Sequence, residues 1–133
     1  MRLAATRIIT DDVDGVVTFY ERLTGASAAR LHPLFAEITM DTGTLAIASA
    51  QTAPLLANGV TAASNRSVTL DFLVPDVDAT YEQVRSWAAV VQAPTDLPWG
   101  NRSLLVRDPD GNLVNLFAPT SDAAKRRFTS SSL

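Results

Sequence analysis

A chain of 133 residues, 47% hydrophobic and 19% charged, has the make-up of one ordinary globular domain with enough length to bury a real core. Its net charge of −3 argues against a nucleic-acid binder, and the single basic cluster, Lys125-Arg126-Arg127, reads as a solvated end rather than a phosphate site. With no cysteine there are no disulfides, thiolate metal sites or Cys nucleophile; no apolar run reaches the ~18 residues of a membrane span, and residues 1–7 lack the apolar core of a secretory signal, so a cytoplasmic protein without membrane attachment is expected.

Residues 3–10, ending in Ile8-Ile9-Thr10, read as a first strand. Asp11 and Asp12 then offer a helix N-cap, and Val13, Val16, Val17, Tyr20 and Leu23 recur at helical spacing up to Gly25, which predicts an amphipathic helix over 13–24. Residues 34–40 alternate as a strand, Asp41-Thr42-Gly43 makes a turn, and 45–48 returns as a second strand. Residues 51–66 are small and polar, broken by Pro54 and Asn58-Gly59, and read as a linker. The pattern then restarts: a strand over 68–74, Asp76 as a cap, a helix face of Val77, Thr80, Tyr81, Val84 and Ala88, and a loop over 96–100. Residues 104–107 and 113–117 form a hairpin across Asp108-Pro109-Asp110-Gly111, where Pro fixes φ and Gly permits positive φ. Residues 119–133 read as a frayed tail or an arm onto a partner.

The two halves repeat one order of elements. Asp12-Val13-Asp14 matches Asp76-Val77-Asp78 at an offset of 64, and Gly43 matches Gly111 at an offset of 68. A period this long implies a duplicated β-α-β-β-β unit: module 1 over about 1–50, the linker over about 51–66, module 2 over about 67–118. The fold class is therefore α+β, two tandem modules whose mixed sheet curls around a cleft.

The hairpin Asp108-Pro109-Asp110-Gly111-Asn112 with Leu116-Phe117 behind it resembles the C-terminal signature of the vicinal oxygen chelate superfamily, the glyoxalase / bleomycin-resistance / extradiol-dioxygenase group. Asp11-Asp12-Val13-Asp14 followed by Phe19-Tyr20 and Leu23-Thr24-Gly25 resembles the family's opening, and Pro98-Trp99-Gly100-Asn101-Arg102 looks like its bleomycin-resistance branch. The resemblance implies a divalent metal held by His and Glu from the first and last strands of each half. By motif those positions carry Ala5, Ile47, Thr69 and Asn115, none of them a usual ligand for Zn²⁺, Ni²⁺ or Fe²⁺. The only histidine, His32, precedes Pro33 in a loop and reads as an ordinary surface residue; no metal cofactor is expected.

Period-two alternation then assigns faces to the strands. Ala5, Arg7 and Ile9 share one face with, in the second half, Thr69, Asp71 and Leu73, so Arg7 and Asp71 hold equivalent positions and are candidates either for an ion pair or for orienting a ligand. Leu113, Asn115 and Phe117 share the cleft face of the last strand. Trp99 is placed to stack on a planar ligand, and Arg102 either pairs with Asp108 or faces the ligand. Glu37 is the one weak candidate for acid–base chemistry. These residues point to a non-catalytic protein that binds a small, partly aromatic molecule through Arg7, Asp71, Trp99, Arg102, Asn115 and Phe117; the resemblance suggests an antibiotic or a metabolite, and a homodimer. The alternatives are a lyase or dioxygenase of the same class with a displaced metal site, and a structural or regulatory dimer with a vestigial cleft.

Overall fold

The computed structural model describes residues 1–56 and 59–130, with side chains through Phe128; Asn58 of the expected linker and residues 131–133 of the expected tail lie outside the described residues. The chain divides into two compact units, Met1–Arg66 with Pro109–Gly111, and Ser67–Asp108 with Asn112–Leu133.

The first unit runs β1 (Thr6–Thr10), α1 (Val13–Thr24), β2 (Ala29–His32), β3 (Phe35–Met40) and β4 (Gly43–Ser49), followed by a 3₁₀ turn over Ala50–Leu55. Its sheet has the order β1-β4-β3-β2, with β1 parallel to β4 and the other pairs antiparallel. α1 begins where the Asp12 carboxylate accepts the Gly15 N–H at 3.0 Å, satisfying one of the amides a helix start leaves without an intrahelical partner. It ends where the Gly25 N–H donates to the Glu21 carbonyl at 2.9 Å. Its stripe Val13, Val16, Val17 and Tyr20 is buried, as are Ala36, Ile38, Leu45 and Ile47 of the sheet. Each fully buried aliphatic or aromatic side chain there contributes about 1.5–3 kcal/mol by leaving water.

The second unit repeats the order: β5 (Thr69–Leu73), α2 (Val77–Val84), β6 (Ala89–Leu97), β7 (Asn101–Arg107) and β8 (Leu113–Pro119), with sheet order β5-β8-β7-β6 and β5 parallel to β8. The Asp76 carboxylate caps α2 on the Ala79 N–H at 3.0 Å. Val77 and Val84 of α2 are buried, as are Leu104, Val106, Val114 and Leu116, which alternate along β7 and β8 on the side that takes the helix. The β7–β8 turn is closed by a buried Asp108: one carboxylate oxygen accepts the Asn112 backbone N–H and the other its side-chain amide, both at 2.8 Å.

Several features differ from the sequence expectation. α2 stops at Val84, and Trp87 and Ala88 fold back to donate to the Val84 carbonyl at 3.1 and 2.8 Å, so Ala88 is off the helix. His32 ends strand β2 instead of lying in a loop, and Asp96 and Leu97 belong to β6. Both strands are sheet edges whose residues are mostly exposed, so neither carries the in–out alternation by which a strand announces itself. The expected linker begins with the 3₁₀ turn, which buries Ala53.

The largest difference is a third helix, α3 (Asp122–Ser130), in the expected tail. Its approach is fixed at Gly100, whose carbonyl accepts the Thr120 and Ser121 N–H groups at 2.7 and 3.1 Å. The Ser121 hydroxyl oxygen then accepts the Ala124 N–H at 3.1 Å. Farther along, the Phe128 ring meets Phe117 edge-on at 5.0 Å, on the face of β8 away from α2.

Gly100 sits at φ +95°, and a Cβ there would lie 2.3 Å from the Ser121 hydroxyl and 2.9 Å from its Cβ. Gly100→Ala combines left-handed strain with this collision and is expected to destabilise the protein by about 2 kcal/mol or more, read as a lower urea midpoint with an unchanged slope.

Candidate functional site

The β5–β8 and β7–β8 registers decide which side chains of the second unit share a face. Asp71 stands opposite Asn115, which stands opposite Leu105, which pairs with Gln92; in the next row Leu73, Phe117, Ser103 and Thr95 are aligned in the same way. Directly opposed residues point to one side of a sheet, so these two rows form the face turned away from α2. Leu113, with Thr69 and Arg107 beside it, forms the row beyond Asn115, and Asn101 the row beyond Ser103.

This face holds an unusual set of polar atoms. The Asn115 side-chain amide donates to Asp71 Oδ1 at 3.2 Å. Because an ionised carboxylate only accepts, this contact fixes the amide orientation and turns Asn115 Oδ1 away from Asp71. Asn115 Oδ1, Ser103 Oγ and Asn101 Oδ1 are all buried without a hydrogen-bond partner. Burying one such atom costs about 1–3 kcal/mol, so three on one sheet face form a concentrated, unsatisfied hydrogen-bonding surface. The spacing that flags Asn115 also reaches Ser103: it is the polar residue that alternates with Leu104 on β7. The sequence reading began that strand at Leu104, three residues after its start at Asn101, and so missed both.

Phe117 lies on the same face but is only 6% exposed, beneath Phe128 of α3. Trp99 stands at the tip of the β6–β7 turn, 68% exposed, at the end of the sheet marked by Asn101 and Pro119. Trp87 is half-buried, its indole N–H donating to the Gln83 carbonyl at 3.0 Å.

In the first unit, Arg7, Ala46 and Glu37 are aligned across β1, β4 and β3, and Ile9, Ala48 and Phe35 form the adjacent row. The Arg7 guanidinium lies over the Phe35 ring, 5.3 Å from its centre, and Asp71 is engaged by Asn115 within its own sheet. Glu37 is half-buried, and His32 is exposed, its Nδ1 accepting the Leu34 N–H at 3.1 Å.

One position assigned by spacing is corrected by register. Arg7 is the counterpart of Asp71, and Arg7 pairs with Ala46 as Asp71 pairs with Asn115. The counterpart of Asn115 is therefore Ala46, while Ile47 faces the other way and is fully buried between Ile8 and Ala36. The two hairpin turns differ by one residue in length, and a one-residue slip exchanges the faces of a strand. The four positions where the resemblance implies metal ligands are thus Ala5, Thr69, Ala46 and Asn115, and these side chains do not fit a Zn²⁺-, Ni²⁺- or Fe²⁺-type ion. Among the described residues, no three His, Cys, Asp or Glu side chains are grouped to hold one.

Arg102 is also corrected. Asp108 is committed to Asn112, and Arg102 instead points to the α2 side, where its Nε and Nη2 donate to the two carboxylate oxygens of Asp78 at 3.1 and 2.9 Å and its Nη1 donates to Asp96 at 3.0 Å. This forked clamp ties the first turn of α2 to the end of β6. Hydrogen bonding from Arg102 holds the Asp78 carboxyl below its ordinary value of 3.8 and keeps the guanidinium protonated. The clamp is therefore intact above the ordinary carboxylate range and is released as pH falls through the lowered Asp78 value. In Arg102→Met, the Asp78 carboxyl followed by NMR is expected to titrate at a higher pH than in the wild type, near an unpaired aspartate.

A sequence model described as the Glyoxalase/Bleomycin resistance protein/Dioxygenase superfamily matches residues 2–116. Among solved structures, a glyoxalase/bleomycin resistance protein/dioxygenase from Nocardioides superposes with a TM-score of 0.76 at 24% identity, covering 92% of this chain and 85% of that one. A glyoxalase/bleomycin resistance protein/dioxygenase family enzyme from Burkholderia phytofirmans PsJN gives 0.79 at 18% identity, covering 90% and 99%. A glyoxalase-related enzyme from Fulvimarina pelagi gives 0.76 at 19%, covering 89% and 88%. No protein of curated function matches the sequence. With two copies of the β-α-β-β-β unit, and with the superfamily match running from the first strand to the last, the chain belongs to the Glyoxalase/Bleomycin resistance protein/Dioxygenase superfamily.

Proposed function

We propose that the protein binds a small, partly aromatic molecule on the face of its second sheet turned away from α2, without a metal and without chemical turnover. The observation that carries this reading is the convergence of three buried, unpartnered polar atoms, on Asn101, Ser103 and Asn115, with the Asp71 carboxylate on one face. Small-molecule sites generally combine an apolar lining with a few placed polar groups. Here Leu73, Leu105 and Leu113 supply the apolar part. The Trp99 ring, exposed at the end of the sheet, offers a stacking surface.

The chain's other candidate groups support catalysis less well. Glu37 has no hydrogen-bond or ion-pair partner among the described residues to set it up as an acid or base. The family's metal positions carry no imidazole or carboxylate. Fold membership alone does not decide between an enzyme and a binder. In this reading the chain sits with the bleomycin-resistance-like branch that residues 98–102 resemble, and by the same resemblance it works as a cytoplasmic homodimer.

The reading is tested by titrating ¹⁵N-labelled protein with a library of small aromatic compounds while following tryptophan fluorescence. Binders are expected to shift the amides of Asp71, Ser103 and Asn115, to quench the wild type more than Trp99→Phe, and to be recovered chemically unchanged. Asn115→Leu is expected to weaken such a compound by about tenfold, the size of one polar contact in a desolvated site. Shifts confined to the first unit, or conversion of the compound, would overturn the proposal.

A further inference from the structure

We infer that the ligand of this face carries a cationic N–H donor group (an ammonium, amidinium or guanidinium) on an apolar or aromatic body; the inference rests on the binding reading above and names the class of molecule it takes.

The reasoning is a census of donors and acceptors. Asp71 is acceptor-only, one of its two oxygens accepts the Asn115 amide, and it has no ion pair among the described residues. Asn115 spends a donor on that contact and leaves its carbonyl oxygen unpartnered; Ser103 Oγ and Asn101 Oδ1 are likewise unpartnered. At the outer strand the Gln92 amide donates to the Thr95 hydroxyl oxygen at 3.3 Å, and that hydroxyl donates to the Ala93 carbonyl at 2.8 Å. The Asn115 and Gln92 amides therefore donate to the protein, while the second Asp71 oxygen and the buried carbonyl oxygens of Asn101 and Asn115 receive no hydrogen bond among the described residues; the buried Ser103 hydroxyl can both donate and accept.

The basic side chain on this face, Arg107, lies one row away opposite Leu113 and already has an interaction partner of its own. A carboxylate or phosphate brought to Asp71 and Asn115 would meet acceptors and a like charge. A forked cation meets the reverse. The exposed Asp71 carboxylate, one oxygen of which is held by the Asn115 amide, is within reach of a planar, multiply donating head group, the arrangement that makes charge-assisted hydrogen bonds strong. The half-exposed Leu73 and the Leu105–Leu113 surface suit the body of such a molecule.

Three probes of one shape and different charge separate the outcomes: benzamidine, benzyl alcohol and benzoate, each titrated by ¹H–¹⁵N correlation spectra into the full chain. Benzamidine is expected to bind most tightly and benzoate least, with shifts at β5, β7 and β8. Asp71→Asn keeps an oxygen for the Asn115 amide and sits on an exposed edge strand, so its spectrum should otherwise match the wild type. It is expected to weaken benzamidine roughly tenfold or more, the loss of a charged partner, and to leave benzyl alcohol unchanged. Benzoate binding as tightly as benzamidine, or benzamidine insensitive to Asp71→Asn, overturns the inference. If benzyl alcohol binds this face as well as benzamidine does, the binding reading survives and the charge preference falls. If no probe shifts these strands, both fall together.

Discussion

Each module depends on one pairing: its first strand lies parallel to its last. β1 on β4 and β5 on β8 bring together segments separated by the helix and two further strands, and the register of those ladders determines every statement about which side chains share a face. In the second module this places Asp71 against Asn115, a carboxylate and an amide that meet only because the ladder aligns them. The helix on one side of each sheet takes the alternating aliphatic residues, and the other side is left to whatever chemistry the intervening positions carry. Parallel pairs of this kind need a crossover connection, and α1 and α2 supply it.

Much of this was legible in the sequence because burial leaves a period. The stripe Val13, Val16, Val17, Tyr20 announces α1 almost to the residue, with Asp12 and Gly25 marking its ends, and the alternation of Val114 and Leu116 with Asn115 and Phe117 assigns the faces of β8. What was not legible lacked such a period. β2 and β6 are edges with little to bury, and α3 is a strongly polar helix held by the Gly100 carbonyl and by one aromatic contact. The face of Ile47 was misassigned because a one-residue difference between turns is invisible to spacing. Arg102 was read toward Asp108 or a ligand because its two carboxylate partners come from elements, α2 and β6, whose contact with it is tertiary.

The candidate site shows how a shared architecture diverges. The positions from which the family's enzymes draw metal ligands are kept as positions: the strands, the register and the facing are all present. They carry alanine, threonine and asparagine, whose side chains do not fit a Zn²⁺-, Ni²⁺- or Fe²⁺-type ion. A carboxylate stands beside Asn115 in the same row, at Asp71, and accepts its amide. Function on a widely reused fold resides in the chemistry of a handful of such positions.

The first-to-last strand pairing has a consequence for how the protein is made. A ribosome emits β5 well before β8, so the edge of β5 that β8 will occupy is bare until the hairpin after Arg107 has emerged. Closing such a separation costs chain entropy before the ladder returns any stabilisation. β5 therefore joins the second sheet only once β8 has emerged, and the strand that completes the sheet also carries Asn115 and Phe117. A nascent chain that stops short of Leu113 has neither the sheet nor the surface on which a ligand would rest.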